Sequence, residues 1–239
     1  MILRDISFNS PAENILFDEF LLHQAEAGQS GESLRFWESP KYFVVLGRIG
    51  KVDEDVNLPA VKFDKIPVLR RASGGGTVLQ GPGCLNYSLV LSKKTDVKLA
   101  DIRRSYDYIL SKVVKVLGKQ GIDSKYFPIS DIALKDNEKK FSGNAQKRGR
   151  NYILHHGTIL YNFDLNLIFK YLTMPKSIPG YRQKRPHQDF VTNISLSIAD
   201  LKKLMAQEFK IKGAVSAINA SEKQLWSEFF LKKDLSAGI

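Results

Sequence analysis

The sequence predicts an α+β fold in which a mixed, mainly antiparallel sheet is flanked by helices. Three observations carry that expectation. Apolar positions change repeatedly between a period near two and a period near 3.6, so strands and helices are interleaved along the chain. They do not follow the strict strand–helix order that a doubly wound parallel sheet requires. Of the 239 residues 43% are hydrophobic and 26% charged, an ordinary soluble composition with enough apolar side chain for one substantial core. No repeat or low-complexity linker divides the chain. Residues 1–239 are therefore expected to form a single domain whose last part, 195–239, is helical.

Ser10-Pro11-Ala12-Glu13 starts a helix: Ser10 caps it, Pro11 suits the first helical position and Glu13 completes a capping box. Ile15, Leu16, Phe20 and Leu21 give it one apolar face through about Ala25, and Gln29-Ser30-Gly31 breaks it. Leu34–Trp37 and Tyr42–Leu46 read as strands joined by a turn at Ser39-Pro40-Lys41. Gly47-Arg48-Ile49-Gly50-Lys51 lacks the spacing and terminal hydroxyl residue of a P-loop and is not read as one. Leu85–Leu91 is a strand with Asn86 and Ser88 on one face. Ile102, Tyr106, Ile109, Leu110, Val113, Val116 and Leu117 recur at helical spacing up to Gly118 and Gly121. A strand from Ile129 to Leu134, a turn at Asp136–Glu138 and a hairpin of Lys140–Gln146 with Tyr152–Phe163 come next. Leu165–Leu172 reads as a short helix, and Met174–Asp189, rich in proline and basic residues, as a loop over the surface. Two helices close the chain. Ile198, Leu201, Met205 and Phe209 face inward in one; Leu225, Trp226, Phe229 and Phe230 do so in the other.

The net charge is +11, but the lysines are scattered rather than gathered in one tail, so no nucleic-acid partner is expected. No apolar run approaches the roughly 20 residues of a membrane-spanning helix, and the N-terminus lacks a secretory signal's apolar region. A single cysteine, Cys84, excludes an internal disulfide and fits a reducing compartment, so a cytoplasmic location is expected.

Chemistry concentrates in three stretches. In Leu69–Leu79 an apolar segment runs through Arg70 and Arg71 into Gly74, Gly75 and Gly76, then into Thr77, Val78 and Leu79. Glycines let the backbone approach a bound group closely and present unobstructed N–H donors, and the arginines point to an anion. A plain glycine turn between two strands is the alternative. In Lys139–Gln146, Lys140 would be a compact positive charge that Gly143 lets lie beside a ligand; one exposed lysine among many is the competing view. In Leu154–Leu160, His155 and His156 would face opposite sides of a strand, so the pair does not chelate one metal. Asp131, flanked by apolar residues, could hold Mg2+ beside a nucleotide phosphate or be an ordinary strand-end aspartate.

Together these stretches resemble the lipoate–protein ligase family, within the larger group of biotin ligases and octanoyltransferases. The resemblance rests on Arg70-Arg71-Ala72-Ser73-Gly74-Gly75-Gly76-Thr77-Val78, on Lys140-Phe141-Ser142-Gly143-Asn144-Ala145-Gln146 and on His155-His156-Gly157-Thr158-Ile159-Leu160, with weaker echoes at Ala12-Glu13-Asn14, Val45–Arg48, Arg185-Pro186 and Val191-Thr192-Asn193. It implies a fold related to the catalytic domain of class II aminoacyl-tRNA synthetases and biotin ligases. It also implies a reaction in which lipoate or octanoate and ATP give acyl-AMP, and the acyl group passes to a lysine of an acidic carrier domain. That carrier would be of the 2-oxoacid dehydrogenase E2 or glycine-cleavage H-protein type. Carried over by motif, Arg71 would contact the adenylate or carboxylate, Gly76 to Leu79 would line the ligand, and Ser73, Gly74 and Gly75 would belong to the same substrate- and ATP-binding set. Lys140 would bridge acyl carbonyl and phosphate, Asp131 would help with Mg2+ and the adenylate, His156 would sit by the acyl pocket, and Gly143 and Gly157 would belong to the substrate- and ATP-binding set.

Two departures stand out. Gln80-Gly81-Pro82-Gly83-Cys84 replaces the family's usual polar residues after the glycines. The roughly 45 residues after Ile194 are too few for the C-terminal accessory domain of many family ligases, so a separate accessory polypeptide is an expected partner. A transferase relative would carry the acyl group on a cysteine near Ser130-Asp131 or shortly before the histidine–glycine pair, and neither place has one. A non-catalytic acyl-binding protein of the same fold is the remaining alternative.

Overall fold

The computed structural model describes residues 1–127, 130–175, 178–233 and 235. It opens with a strand that periodicity does not reveal, β1 (Ile2–Asp5), because four residues with only Arg4 buried carry no readable alternation. Helix α1 (Pro11–Glu26) starts as its cap foretells, Ser10 accepting from the Glu13 amide. It is buried on more than one side, Phe17 and Leu22 joining the expected apolar face. Strands β2 (Ser33–Trp37) and β3 (Phe43–Leu46) are wholly buried. Two short helices follow, α2 (Val52–Asp55) and α3 (Leu58–Phe63), each too brief for a helical period to show. Strands β4 (Val68–Arg70) and β5 (Val78–Gln80) bracket the glycine segment, and β6 (Cys84–Ser92) leads to α4 (Ile102–Gly118).

Strand β7 (Ser124–Phe127) is a further element absent from the sequence reading; β8 (Asp131–Leu134) matches the expected strand, whose start at Ile129 lies outside the described residues. The hairpin is β9 (Lys140–Arg148) with β10 (Tyr152–Leu160), followed by α5 (Asn166–Tyr171). Met174–Asp189, read as a surface loop, instead holds a 3-10 turn at Gly180–Arg182 and part of α6 (His187–Phe190), with Arg182 and Phe190 buried. Helices α7 (Ile198–Glu208) and α8 (Ala220–Leu231) are separated by β11 (Gly213–Val215), so the segment after residue 195 is not purely helical.

The main sheet has eight strands in the order β11-β1-β2-β6-β10-β9-β8-β7. Only the β11/β1 and β1/β2 pairs are parallel; the rest are antiparallel, the mainly antiparallel α+β arrangement expected. A second sheet of three strands, β4-β3-β5, pairs β3 parallel to β4 and antiparallel to β5. Strand alternation divides the main sheet's residues between two faces. Tyr87, Leu89, Ile153 and Ile159 pack with Ile109, Val113 and Leu117 of α4 and Leu201 and Met205 of α7. On the other face Val90 and Leu154 pack with α1, whose Phe17 and Phe20 meet Trp226 of α8. That second face also carries Asn86, Ser88, His156 and Thr158, and it is where the sheet opens into a cavity.

Candidate active site

A cavity of about 760 Å³ lies between the small sheet, the β9/β10 face, α1 and residues of 173–175 and 179–191. The size suits a small-molecule site. Its apolar wall includes Ile15, Trp37, Val45, Leu79 and Leu154, and its polar wall Arg71, Ser73, Asp131, Lys140, His156 and Arg182. Gly75, Gly76, Thr77, Val78 and Gly143 also line it; Gly74 and Gly157 do not.

Arg70 and Arg71 point to opposite sides of β4, as strand geometry requires. Arg70 donates to the carbonyls of Gly47, Arg48 and Gly50, fixing the loop after β3. Arg71 turns inward and is 9% exposed. Its guanidinium donates to Ser73 Oγ (3.0 Å), to the Val45 carbonyl (3.3 Å), and to the carbonyls of Gly74 (2.7 Å) and Gly76 (2.8 Å). These bonds wrap the glycine segment around the arginine, which is why Gly74 serves by its carbonyl from outside the cavity wall. Burial pulls the Arg71 pKa down to about 10, still charged at neutral pH. Gly75 has φ +88°, open to glycine at no steric cost, and a Cβ on Gly47 would overlap the Gly75 carbonyl oxygen. Thr77 donates to Asp55 Oδ2 at 2.7 Å, anchoring the far end of the loop.

Facing this wall, Lys140 Nζ lies 2.8 Å from Asp131 Oδ1. In a regular strand residues 140 and 143 would face opposite ways. Here Asp131 pairs with Gly143 and Ala133 with Lys140, and the register shift between them is a β-bulge that puts Lys140, Gly143 and Asp131 on one face. Gly143 then serves Lys140 itself: a Cβ there would sit 3.1 Å from Nζ, so the bare backbone lets the lysine fold across it. Tyr181 donates to Asp131 Oδ2 at 2.7 Å while its ring stacks on Phe127 at 3.9 Å. Burial and the Asp131 charge push the Tyr181 hydroxyl pKa well above the ordinary tyrosine value, so it remains a donor.

His156 Nε2 is 2.6 Å from Ser73 Oγ. Ser73 Oγ, which accepts from Arg71, thus links the arginine to the imidazole through one short hydrogen bond. Burial, with help from the Arg71 charge, lowers the His156 pKa to about 3. His155 faces the other layer, against Tyr87 and Tyr106, with Nδ1 accepting from Gln146 and its pKa lowered to about 3 by burial. Gly157 is a packing position on that same face, where a Cβ would overlap Asn144 Oδ1. Cys84 is 1% exposed, its thiol donates to Gln80 Oε1 at 3.3 Å, and burial raises its pKa far above the usual thiol range. It does not line the cavity.

The sequence reading missed several residues of this site. Tyr181, Arg182 and His187 sit in the stretch taken for a surface loop, and only its density of arginines hinted otherwise. Asp18 was hidden in the helix pattern; it lines the cavity while bound to the buried Arg35 (2.7 Å), Trp37 Nε1 and Ser88 Oγ. Among the described residues no group of three or more His, Cys, Asp or Glu is placed to hold a metal ion. Magnesium does not need such a group, because one carboxylate with substrate phosphates suffices. Asp131 could supply that carboxylate, although Lys140 and Tyr181 already occupy one lone pair on each of its oxygens.

The fold is that of a lipoate protein ligase. The bi-partite lipoate protein ligase of Thermoplasma acidophilum, solved in a study with its E2 lipoyl domain, superposes with a TM-score of 0.81 at 24% identity, covering 97% of this chain and 92% of that one. Residues 10–210 match the lipoyl protein ligase A/B catalytic domain, and the chain belongs to that family. Relatives include the "Probable lipoate-protein ligase A" of Mycoplasma pneumoniae, 31% identical over 71% of this chain and 48% of the relative. The octanoyltransferase LipM of Oceanobacillus iheyensis is 29% identical over 80% of this chain and 76% of its own length. The chain thus spans about half the length of the lipoate–protein ligase it matches in Mycoplasma.

Proposed function

We propose that this chain is the catalytic domain of an ATP-dependent lipoate–protein ligase, a single unit over residues 1–239 acting in the cytoplasm. It activates lipoate, or octanoate, to acyl-AMP and passes the acyl group to a lysine of a lipoyl carrier domain. One observation carries the reading: a lysine held by Asp131 on one wall of the cavity faces a glycine loop held open by Arg71 on the other. Lys140 stabilises the charge that develops as the carboxylate oxygen bonds to the α-phosphorus. The glycine loop offers the adenylate a backbone that nothing shields, and the wall of Ile15, Trp37, Val45 and Leu79 accepts the acyl chain. Asp131 is the residue that would hold Mg2+, which when bound neutralises phosphate charge.

The Thermoplasma neighbour, studied with an E2 lipoyl domain, supports a lipoyl carrier as partner; its bi-partite construction supports a separate accessory polypeptide. The LipM relative favours a second reading, acyl transfer between carrier proteins through a cysteine. Cys84 suits that role poorly, being buried, protonated and behind the wall. Incubating the chain with lipoate and labelled ATP, with and without a candidate accessory polypeptide, tests the choice. Lipoyl-AMP and pyrophosphate are the expected products. No adenylate in either condition, with carrier-to-carrier transfer that Cys84→Ala abolishes, would establish the transferase instead.

A further inference from the structure

We propose that Arg182 receives the pyrophosphate end of the nucleotide, an inference that rests on the ligase reading. Arg182 ends the 3-10 turn at Gly180–Arg182 and is 3% exposed, yet it lines the cavity. Its Nε donates to the Arg185 carbonyl at 2.8 Å and its Nη2 meets Met174 Sδ at 3.1 Å, while Phe190 covers one face at 4.6 Å. Among the described residues no carboxylate forms an ion pair with it, and nothing accepts from its Nη1. A guanidinium does not shed its proton, so a buried one without an anion is costly. Phosphate oxygens are the acceptors its planar fork fits best.

The surroundings sharpen the choice of ligand. Lys140 and His187 line the same space, and both the Lys140 and Arg182 charges add to burial in depressing the His187 pKa. Asp131 acts on Arg182 through space, but both its oxygens are engaged by Lys140 and Tyr181; of the other carboxylates lining the cavity, Asp55 accepts from Thr77. Arg185 is spent on the carbonyls of Asn137, Glu138, Tyr181 and Arg182, so it pins the 3-10 turn to the β8/β9 turn and adds positive potential without offering a ligand a free fork. With Arg182 Nη1 open and Lys140 lining the same cavity, two cationic groups are offered to one ligand, which suits a polyanion better than a single carboxylate. In the proposed reaction the lipoate carboxylate oxygen bonds to the α-phosphorus, the bond from that phosphorus to the bridging β-oxygen breaks, and its electron pair leaves with pyrophosphate. Lys140 serves the reacting centre; Arg182 holds the departing group, whose charge rises as that bond breaks.

Calorimetric titration of the full chain with pyrophosphate, ATP and AMP tests the assignment. Wild type binds pyrophosphate in competition with ATP. Arg182→Gln weakens pyrophosphate and ATP by at least about tenfold, as loss of a charge-assisted contact requires, and leaves AMP binding little changed. Arg182→Lys, which keeps the charge but not the fork, recovers part of the loss and is the variant to measure should Arg182→Gln not fold. Undiminished pyrophosphate affinity in these variants, an equal loss for AMP and ATP, or no pyrophosphate binding by wild type at millimolar concentration would each overturn it. If wild type binds pyrophosphate through Arg182 but forms no lipoyl-AMP, the anion site stands and the ligase reading falls.

Discussion

The ammonium of Lys140 reaches the cavity across a glycine that leaves the strand face bare, and Asp131 steadies it from the neighbouring strand. Lys140→Ala should lower acyl-adenylate formation by at least about 10²-fold, the usual cost of removing a preorganised charge from a reacting centre. Its fold should be intact, since the ammonium is part-exposed and the strand pairing does not depend on it; wild-type turnover would remove Lys140 from the mechanism. The two histidines act on stability. Their folded pKa values of about 3 lie below the 6.5 of the unfolded chain, so between those values the unfolded state binds more protons. Stability is therefore complete above pH 6.5 and is lost as pH falls from there toward 3. Denaturation midpoints at pH 7 and pH 5, a window in which carboxylates stay largely ionised, should show the decline; an unchanged midpoint would mean that the imidazoles are charged in the fold.

At the scale of elements, helix α1 is locked to the sheet by a polar knot inside an apolar layer. Arg35 of β2 is fully buried, donates to Asp18, Asn14 and the Ile6 carbonyl, and lies against Phe17 and Trp37. Arg35→Met should cost roughly 3–5 kcal/mol, because it strands the Asp18 carboxylate. A denaturant midpoint within error of wild type would contradict that. The sequence made the long elements legible: the cap of α1, the stripe of α4 and the β9/β10 hairpin each carry enough residues for a period to show. It made the motif residues legible too, because glycine runs and paired arginines stand out in any composition. It could not show the bulge that brings Lys140 and Gly143 to one face, since alternation counted along the chain puts them on opposite sides. Nor could it place Arg182, whose burial in the 3-10 turn depends on Met174 and Phe190 and on strands distant in sequence. The short elements β1, β7, β11, α2 and α3 were missed for want of length.

For the whole molecule, the elements close on one space whose polar lining includes Arg71, Lys140, Arg182 and His156 and whose apolar lining includes Ile15, Trp37, Val45 and Leu79. That division fits a substrate with a charged head and an aliphatic tail, and the chain's +11 charge favours encounter with an acidic carrier. The segment after residue 195 builds the far edge of this body: α7 packs on α4, β11 pairs with β1 and α8 covers α1. Adenylate formation by this chain is read directly by lipoate-dependent exchange of labelled pyrophosphate into ATP, which reports that reversible step and nothing else. Wild type should exchange, and Cys84→Ala equally, when lipoate is present and not in its absence. Exchange that Cys84→Ala abolishes, or none at all with the accessory polypeptide supplied, would contradict the ligase reading.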